Sequence, residues 1–140
     1  MKKLNAIFMI VILFIPALVL AEINVAAPWI AAPPPGSNVL VAYMEIQNTS
    51  DQDRTLVSVS AAEFEEVQMH RSGMHDGMMM MDQLDAITIP ANAMVKLASR
   101  GLHLMLMSPA RYFKAGEVIE LDLMFEDKQT LKIHVPVKKR

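Results

Sequence analysis

The chain has 140 residues, 53% of them hydrophobic, and a formal net charge of −2, which suits one globular domain. This mildly acidic balance argues against nucleic-acid binding, which requires clustered lysine and arginine; the one basic cluster closes the chain at residues 138–140. There is no cysteine, so thiol redox chemistry, cysteine-based zinc sites and blue-copper sites are excluded.

The first 21 residues have the layout of a secretory signal peptide. Lys2 and Lys3 give a positive start, an apolar run follows over 7–20, and Ala21 offers a small residue for cleavage. The alternative is a membrane anchor, but a run of about 14 apolar residues is shorter than the roughly 20 that a span requires. We therefore expect export to the periplasm and a mature domain over 22–140. Because no cysteine follows the run, lipid attachment there is excluded.

The rest of the chain shows strand signals and little helical periodicity. Short runs of β-forming residues alternate in polarity and are separated by turn residues such as proline, glycine and asparagine. This pattern predicts an all-β antiparallel sandwich or barrel without a second domain. The predicted strands are 23–25, 39–47, 55–60, 64–71, 78–84, 86–89, 93–97, 102–107, 118–125 and 130–137.

A hairpin around residues 74–77 pairs a histidine with a methionine. If these four residues form the loop, His70 lies directly opposite Met81, where Cβ atoms on one face are roughly 4.5–5.5 Å apart. Met79 shares the face of Met81 because alternate residues of a strand point the same way, and a slip of two residues would exchange them.

A second histidine–methionine pair lies in the strand over 102–107. Leucines at its even positions can fill the core, which turns His103, Met105 and Met107 to the opposite face. An imidazole and a thioether again become neighbours. If the two strand pairs meet, two nitrogens and two sulfurs converge on one point.

Such a donor set favours monovalent copper. Methionine thioethers are soft ligands that select Cu(I), and imidazole also binds copper, whereas hard cations prefer oxygen. All four ligands are neutral, which favours Cu(I) over the more highly charged Cu(II).

The chain has 13 methionines and four histidines, and most of them have ordinary structural explanations. Methionine often fills gaps in a core, which is the interpretation we give Met44, Met94 and Met124. His134, among apolar neighbours, is expected to be structural, and His75 at the loop tip to be solvated. The metal hypothesis depends on the two same-face pairs together.

The spacing of these residues resembles that of the periplasmic copper chaperone A family, PCu(A)C. In that family a histidine is followed after ten residues by methionine, and after twenty-one more by His-x-Met. Here ten residues separate His70 from Met81, and twenty-one separate Met81 from His103-Leu104-Met105. The resemblance extends over nearly all of the mature chain, through segments 41–43, 48–49, 89–91, 101–107, 116 and 123–127.

The resemblance implies a Greek-key β-sandwich, cupredoxin-like or immunoglobulin-like, with one Cu(I) held by His70, Met81, His103 and Met105. It also implies a metallochaperone that delivers copper to cytochrome c oxidase subunit II, alongside a Sco-type thiol protein. We expect a monomer that is not an enzyme, since the sequence has no nucleophile–base pair in a recognisable setting and no glycine-rich phosphate loop. The methionine- and histidine-rich tail of some members is absent here, which argues against a second site there. Two other functions stay open: a copper buffer or resistance protein without a dedicated recipient, and a metal-free interaction module.

Overall fold

The computed structural model describes residues 22–140, so the expected signal peptide lies outside the described residues. Every regular element within 22–140 is a strand, and no helix there is long and apolar enough to cross a membrane. The all-β prediction is therefore confirmed. The strands are β1 (Ile23–Ala31), β2 (Val39–Asn48), β3 (Arg54–Ser60), β4 (Phe64–His75), β5 (Met78–Leu84), β6 (Ile87–Ile89), β7 (Ala93–Leu97), β8 (Leu102–Pro109), β9 (Val118–Phe125) and β10 (Thr130–Lys138).

These strands form one sheet that closes on itself like a barrel. Its ring runs β4-β8-β2-β1-β10-β9-β3 and returns to β4, while β5, β7 and β6 pair along it. Two links in the ring are short. Strands β1 and β10 share two parallel pairs, and β3 meets β4 only at Val59 and Val67. The barrel is thus built from two broad antiparallel regions that join at narrow seams.

The barrel interior is filled by alternate residues of the ring strands. On β8, Leu104 and Leu106 are fully buried, and they lie opposite Ala42 and Leu40 of β2, which are buried as well. Because successive strand residues point to opposite faces, this arrangement turns His103 and Met105 to the outer face, as the sequence predicts. The core leucines therefore set the direction of the candidate ligands.

Of the four residues outside the candidate site expected to be structural, one is buried and three are exposed. Met44 is buried in the core, as predicted. Met94 and Met124 are instead 49% and 42% exposed, since each lies on the outward face of its strand. The His134 side chain is 67% exposed and pairs with Glu120, so it is a surface residue rather than a structural one.

The β4–β5 hairpin closes with a tighter turn than predicted. Only Asp76 and Gly77 lie between the strands, and both have positive φ, 51° and 77°. This is the pattern of a type I′ Asp-Gly turn, which matches the twist of the strands it joins. The predicted four-residue loop over 74–77 is therefore wrong, because Asp76 and Gly77 form a two-residue turn and residues 74 and 75 remain in β4.

The tighter turn moves the hairpin register by two residues. Met81 lies opposite Ser72 rather than His70, and His70 lies opposite Gln83. A shift of two keeps every side chain on its face. His70 and Met81 therefore still share the outer face, as diagonal neighbours instead of directly opposed ones.

Gly77→Ala should lower the free energy of unfolding by about 1 kcal/mol, because an L-residue with a Cβ is strained at positive φ. The φ of Gly77 is 77°, and no atom of residues 22–140 lies within 4 Å of an added Cβ, so the predicted loss comes from backbone strain. Urea unfolding of the metal-free domain measures the change.

Gly73→Ala is the matched control on the same hairpin. Gly73 is equally open within 4 Å but lies in ordinary strand backbone, so its substitution should leave stability unchanged or slightly higher. Equal losses in the two variants would contradict the type I′ turn.

Candidate metal site

Strands β4 and β8 bring the two candidate histidines together. In their antiparallel register His70 lies directly opposite His103, and Gln68 lies opposite Met105. The two imidazole rings stack with their centroids 5.8 Å apart at an angle of 24°. Two histidines that are 33 residues apart in the chain therefore form one pair on the outer face of the sheet.

The site grades from buried to exposed. His103 is only 4% exposed, His70 and Met105 are half-buried, and Met81 is 53% exposed. The imidazole of His103 is thus held inside the surface, while the thioether of Met81 stands in solvent. A metal bound here would have one well-protected ligand and one that solvent or a partner can reach.

A backbone contact fixes the tautomer of His103. Its Nδ1 donates a hydrogen bond to the Gly101 carbonyl oxygen at 3.0 Å. Because a carbonyl only accepts, Nδ1 carries the proton and Nε2 keeps its lone pair. The other ring nitrogen of a metal-binding histidine commonly has such a partner, which orients the ring.

The ring of His70 is oriented in the complementary way. Its Nε2 donates to Gln68 Oε1 at 2.8 Å. Its Nδ1 is buried and has no hydrogen-bond partner, and it is the one side-chain nitrogen or oxygen of that kind among residues 22–140. A buried, unpaired nitrogen costs free energy unless something binds it. The lone pair at Nδ1 therefore fits a metal ligand.

The surroundings of His70 favour its neutral form. Burial lowers the pKa of His70 below its ordinary value of 6.5, and the nearby charge of His103 lowers it further. Both effects disfavour the imidazolium form, because a charge loses hydration on burial and two like charges repel. A neutral imidazole is the form that binds metal.

Sulfur is the other donor on this face. Met105 is two residues from His103, and Met81 is two residues from Gln83, the partner of His70. Diagonal neighbours of an antiparallel pair are about 7–8 Å apart, within reach of long side chains. Within 22–140, no three histidine, aspartate or glutamate side chains gather where they could hold a metal ion.

Two features of the site are missed by sequence reasoning. The first is the direct opposition of the two histidines, which depends on the pairing of strands far apart in sequence. The second is the support from Gln68 and the Gly101 carbonyl. The contact of Gln68 with His70 could have been predicted from their i, i+2 spacing on one strand. The contact of the Gly101 carbonyl with His103 could not, because a backbone carbonyl leaves no signal in the sequence.

The other two histidines lie apart from this face. His75 ends β4 beside the turn, is 57% exposed at its side chain, and lies 3.5 Å from the Asp82 carboxylate. Strand alternation places it on the opposite face of the hairpin from His70. It is solvated, as the sequence predicts. His134 lies on β10, which does not pair with β4 or β8.

Comparison with known sequences relates the chain to a family described as "Putative lipoprotein LpqE-like", whose model matches residues 23–137. The chain is also similar to "Putative lipoprotein Lxx21020" of Leifsonia xyli subsp. xyli. The two are 29% identical over 117 residues, which span 83% of this chain and 69% of that protein.

Comparison with solved structures gives similar folds. The copper-bound PCuAC domain from PmoF2 has a TM-score of 0.73 and 28% identity, over 86% of this chain and 95% of that domain. The solution structure of CuI-DR1885 from Deinococcus radiodurans has a TM-score of 0.70 and 33% identity, over 89% and 83% of the two chains.

The depressed pKa of His70 predicts how the stability of the metal-free domain varies with pH. As the pH falls through 6.5, the unfolded chain binds a proton at His70 before the folded chain does, so the free energy of unfolding falls. His70→Asn should flatten this slope between pH 6.5 and the lower pKa of the folded state. Thermal unfolding at a series of pH values in chelator-treated samples measures it.

His134→Asn is the matched control, because His134 is exposed on a different strand. This variant should keep the wild-type slope. The burial argument fails if both variants follow the wild-type curve.

Proposed function

We propose that this chain, which belongs to the LpqE-like family of PCuAC-related proteins, is an exported metallochaperone that binds one Cu(I) ion. The proposed ligands are His70, Met81, His103 and Met105. One observation carries the proposal: His70 and His103 face each other across β4 and β8, each with one ring nitrogen left free to bind.

The chemistry of the donors supports copper over other metals. Two neutral imidazoles and two thioethers suit a soft monovalent ion, and thioethers select Cu(I) among biological metals. Two similar structures bear copper in their names, the copper-bound PCuAC domain from PmoF2 and CuI-DR1885. No ligand adds negative charge, so oxidation to Cu(II) would place a second positive charge with no compensation.

The gradient of exposure supports transfer rather than storage alone. Met81 is 53% exposed and belongs to a hairpin at the edge of the sheet order, whereas His103 is almost fully buried. A partner can displace the exposed thioether first while the imidazoles still hold the ion. Ligand exchange can then proceed one bond at a time, so that a free copper ion is never released.

Location and partners complete the proposal. Residues 1–21 serve as a signal peptide that is cleaved after Ala21, which leaves a monomeric domain over 22–140 in the periplasm. The names of the relatives contain the word lipoprotein, and the 140 residues of this sequence contain no cysteine. The recipient is cytochrome c oxidase subunit II, served together with a Sco-type thiol protein, and the domain itself catalyses no reaction.

His103→Ala combined with Met105→Ala should weaken Cu(I) binding by at least about a hundredfold, since loss of even outer-shell support costs 10–100-fold at metal sites. Titration of the mature domain against a competing Cu(I) chelator measures the affinity. Unchanged affinity would rule out this ligand set.

The matched control removes one histidine and one methionine elsewhere. His134→Ala with Met124→Ala alters two exposed residues on β10 and β9 and should leave affinity unchanged. The fourth ligand is tested separately: Met81→Leu should weaken binding, and Met79→Leu should not. The reverse result would make Met79 the ligand.

Deletion of the gene distinguishes a chaperone from a copper buffer that uses the same site. Under copper limitation, loss of a chaperone should lower cytochrome c oxidase activity, and added copper should restore it. A chromosomal copy with the His103→Ala and Met105→Ala changes should behave like the deletion. Normal oxidase activity in the deletion strain would favour the buffer.

A further inference from the structure

We propose that Met74, Met79 and Met81 form an outer, three-sulfur loading site through which Cu(I) reaches the inner site. This inference rests on the proposed copper function and adds a second, weaker site to it. Met81 belongs to both sites, as the shared ligand at which the ion passes from one to the other.

The hairpin register places these three thioethers together. Met74 lies directly opposite Met79, and Met81 lies opposite Ser72, the next outward position on β4. Directly opposed Cβ atoms are roughly 4.5–5.5 Å apart, and Met79 and Met81 are separated by about 6.6 Å along the strand. Flexible methionine side chains can close these distances around one ion.

All three residues lie on the face of the hairpin that carries His70. Strand alternation puts His70, Ser72 and Met74 on one side of β4, and Gln83, Met81 and Met79 on the same side of β5. The thioethers thus form a line from the hairpin tip toward the imidazole pair. The order along that line is Met74 with Met79, then Met81, then His70 with His103.

Exposure indicates that these methionines are not packing residues. Met74, Met79 and Met81 are 64%, 60% and 53% exposed. Exposed large apolar side chains gain little from the hydrophobic effect where they stand. What they offer at this place is accessible sulfur, which is the ligand that a soft monovalent ion prefers.

The relative strengths of the two sites set the direction of transfer. The outer site offers three thioethers, whereas the inner site adds two imidazoles, one of them nearly buried. Imidazole is a stronger donor to copper than a thioether, so the ion gains affinity as it moves inward. During the move the bond to Met81 persists, the bonds to Met74 and Met79 break, and bonds to His70, His103 and Met105 form.

The other face of the same hairpin offers a matched control. Met78 and Met80 are 68% and 48% exposed, but alternation turns them away from His70. Both pairs consist of exposed methionines of the same hairpin, although Met74 lies on β4 and the other three lie on β5. They differ in the face on which they lie.

The test compares Met74→Leu with Met79→Leu against Met78→Leu with Met80→Leu in the full mature domain. Stopped-flow loading from a Cu(I)–chelator donor should slow at least about fivefold in the first double variant and stay at the wild-type rate in the second, because a lost encounter ligand acts on association. The equilibrium affinity for the first Cu(I) should be unchanged in both. Circular dichroism checks the fold.

Methyl spectra of the wild-type domain give an independent measurement that needs no variant. With labelled methionine methyl groups, the Met74 and Met79 signals should shift when a second equivalent of Cu(I) is added, whereas those of Met78 and Met80 should not.

The outcomes separate this inference from the proposed function. Equal loading rates in all three proteins, equal slowing in both variants, or a loss of first-ion affinity in the Met74/Met79 variant would each overturn the outer site. None of these results bears on the inner site, which is tested independently by the Cu(I) titration of the variant with His103→Ala and Met105→Ala.

Discussion

The functional surface depends on the pairing of β4 with β8. Packing of Leu104 and Leu106 into the barrel turns His103 outward, and the antiparallel register then places His70 directly against it. Each ring is held by its own contact, to the Gly101 carbonyl or to Gln68, and each is left with one free nitrogen. The buried Nδ1 of His70 has no hydrogen-bond partner, which costs free energy, and burial together with the nearby charge of His103 lowers the pKa of His70. A metal ion bound at Nδ1, as proposed, would relieve the cost of the unpaired nitrogen.

The edge position of β5 gives the site its second property. Among residues 22–140, β5 pairs with β4 alone, and its four methionines are exposed. The barrel wall holds the imidazoles in fixed positions, while the hairpin arm carries flexible, exposed thioethers. In the proposed chaperone, the fixed imidazoles would set affinity and the exposed thioether of Met81 would allow ligand exchange. The proposed transfer function requires both properties, since a site closed on all sides would release its ion slowly.

The parts of this site that sequence could predict are those fixed by local geometry. The i, i+2 alternation of His103 and Met105 follows from one strand and its leucines, and the structure has it as predicted. The pairing of His70 with Met81 failed in register, since Asp76 and Gly77 both adopt positive φ and shorten the loop. The two residues nevertheless share a face as predicted, because a shift of two residues changes the partner of a strand residue but not the face on which it lies. The contact between His70 and His103 could not be predicted from the sequence, since it depends on the pairing of β4 with β8, which are far apart in the chain.

The same two-residue shift has a consequence for the methionine run. In the predicted register, Met79 would lie opposite Ser72 and Met74 would be part of the loop. In the observed register Met74 joins β4 and faces Met79, so one thioether of the run acquires a partner across the hairpin. Residues 78–81 alternate between faces, so Met79 and Met81 lie on the face of His70, and Met78 and Met80 lie on the opposite face. The tight Asp-Gly turn therefore does more than end the hairpin: it decides which methionines stand in line with the candidate copper ligands.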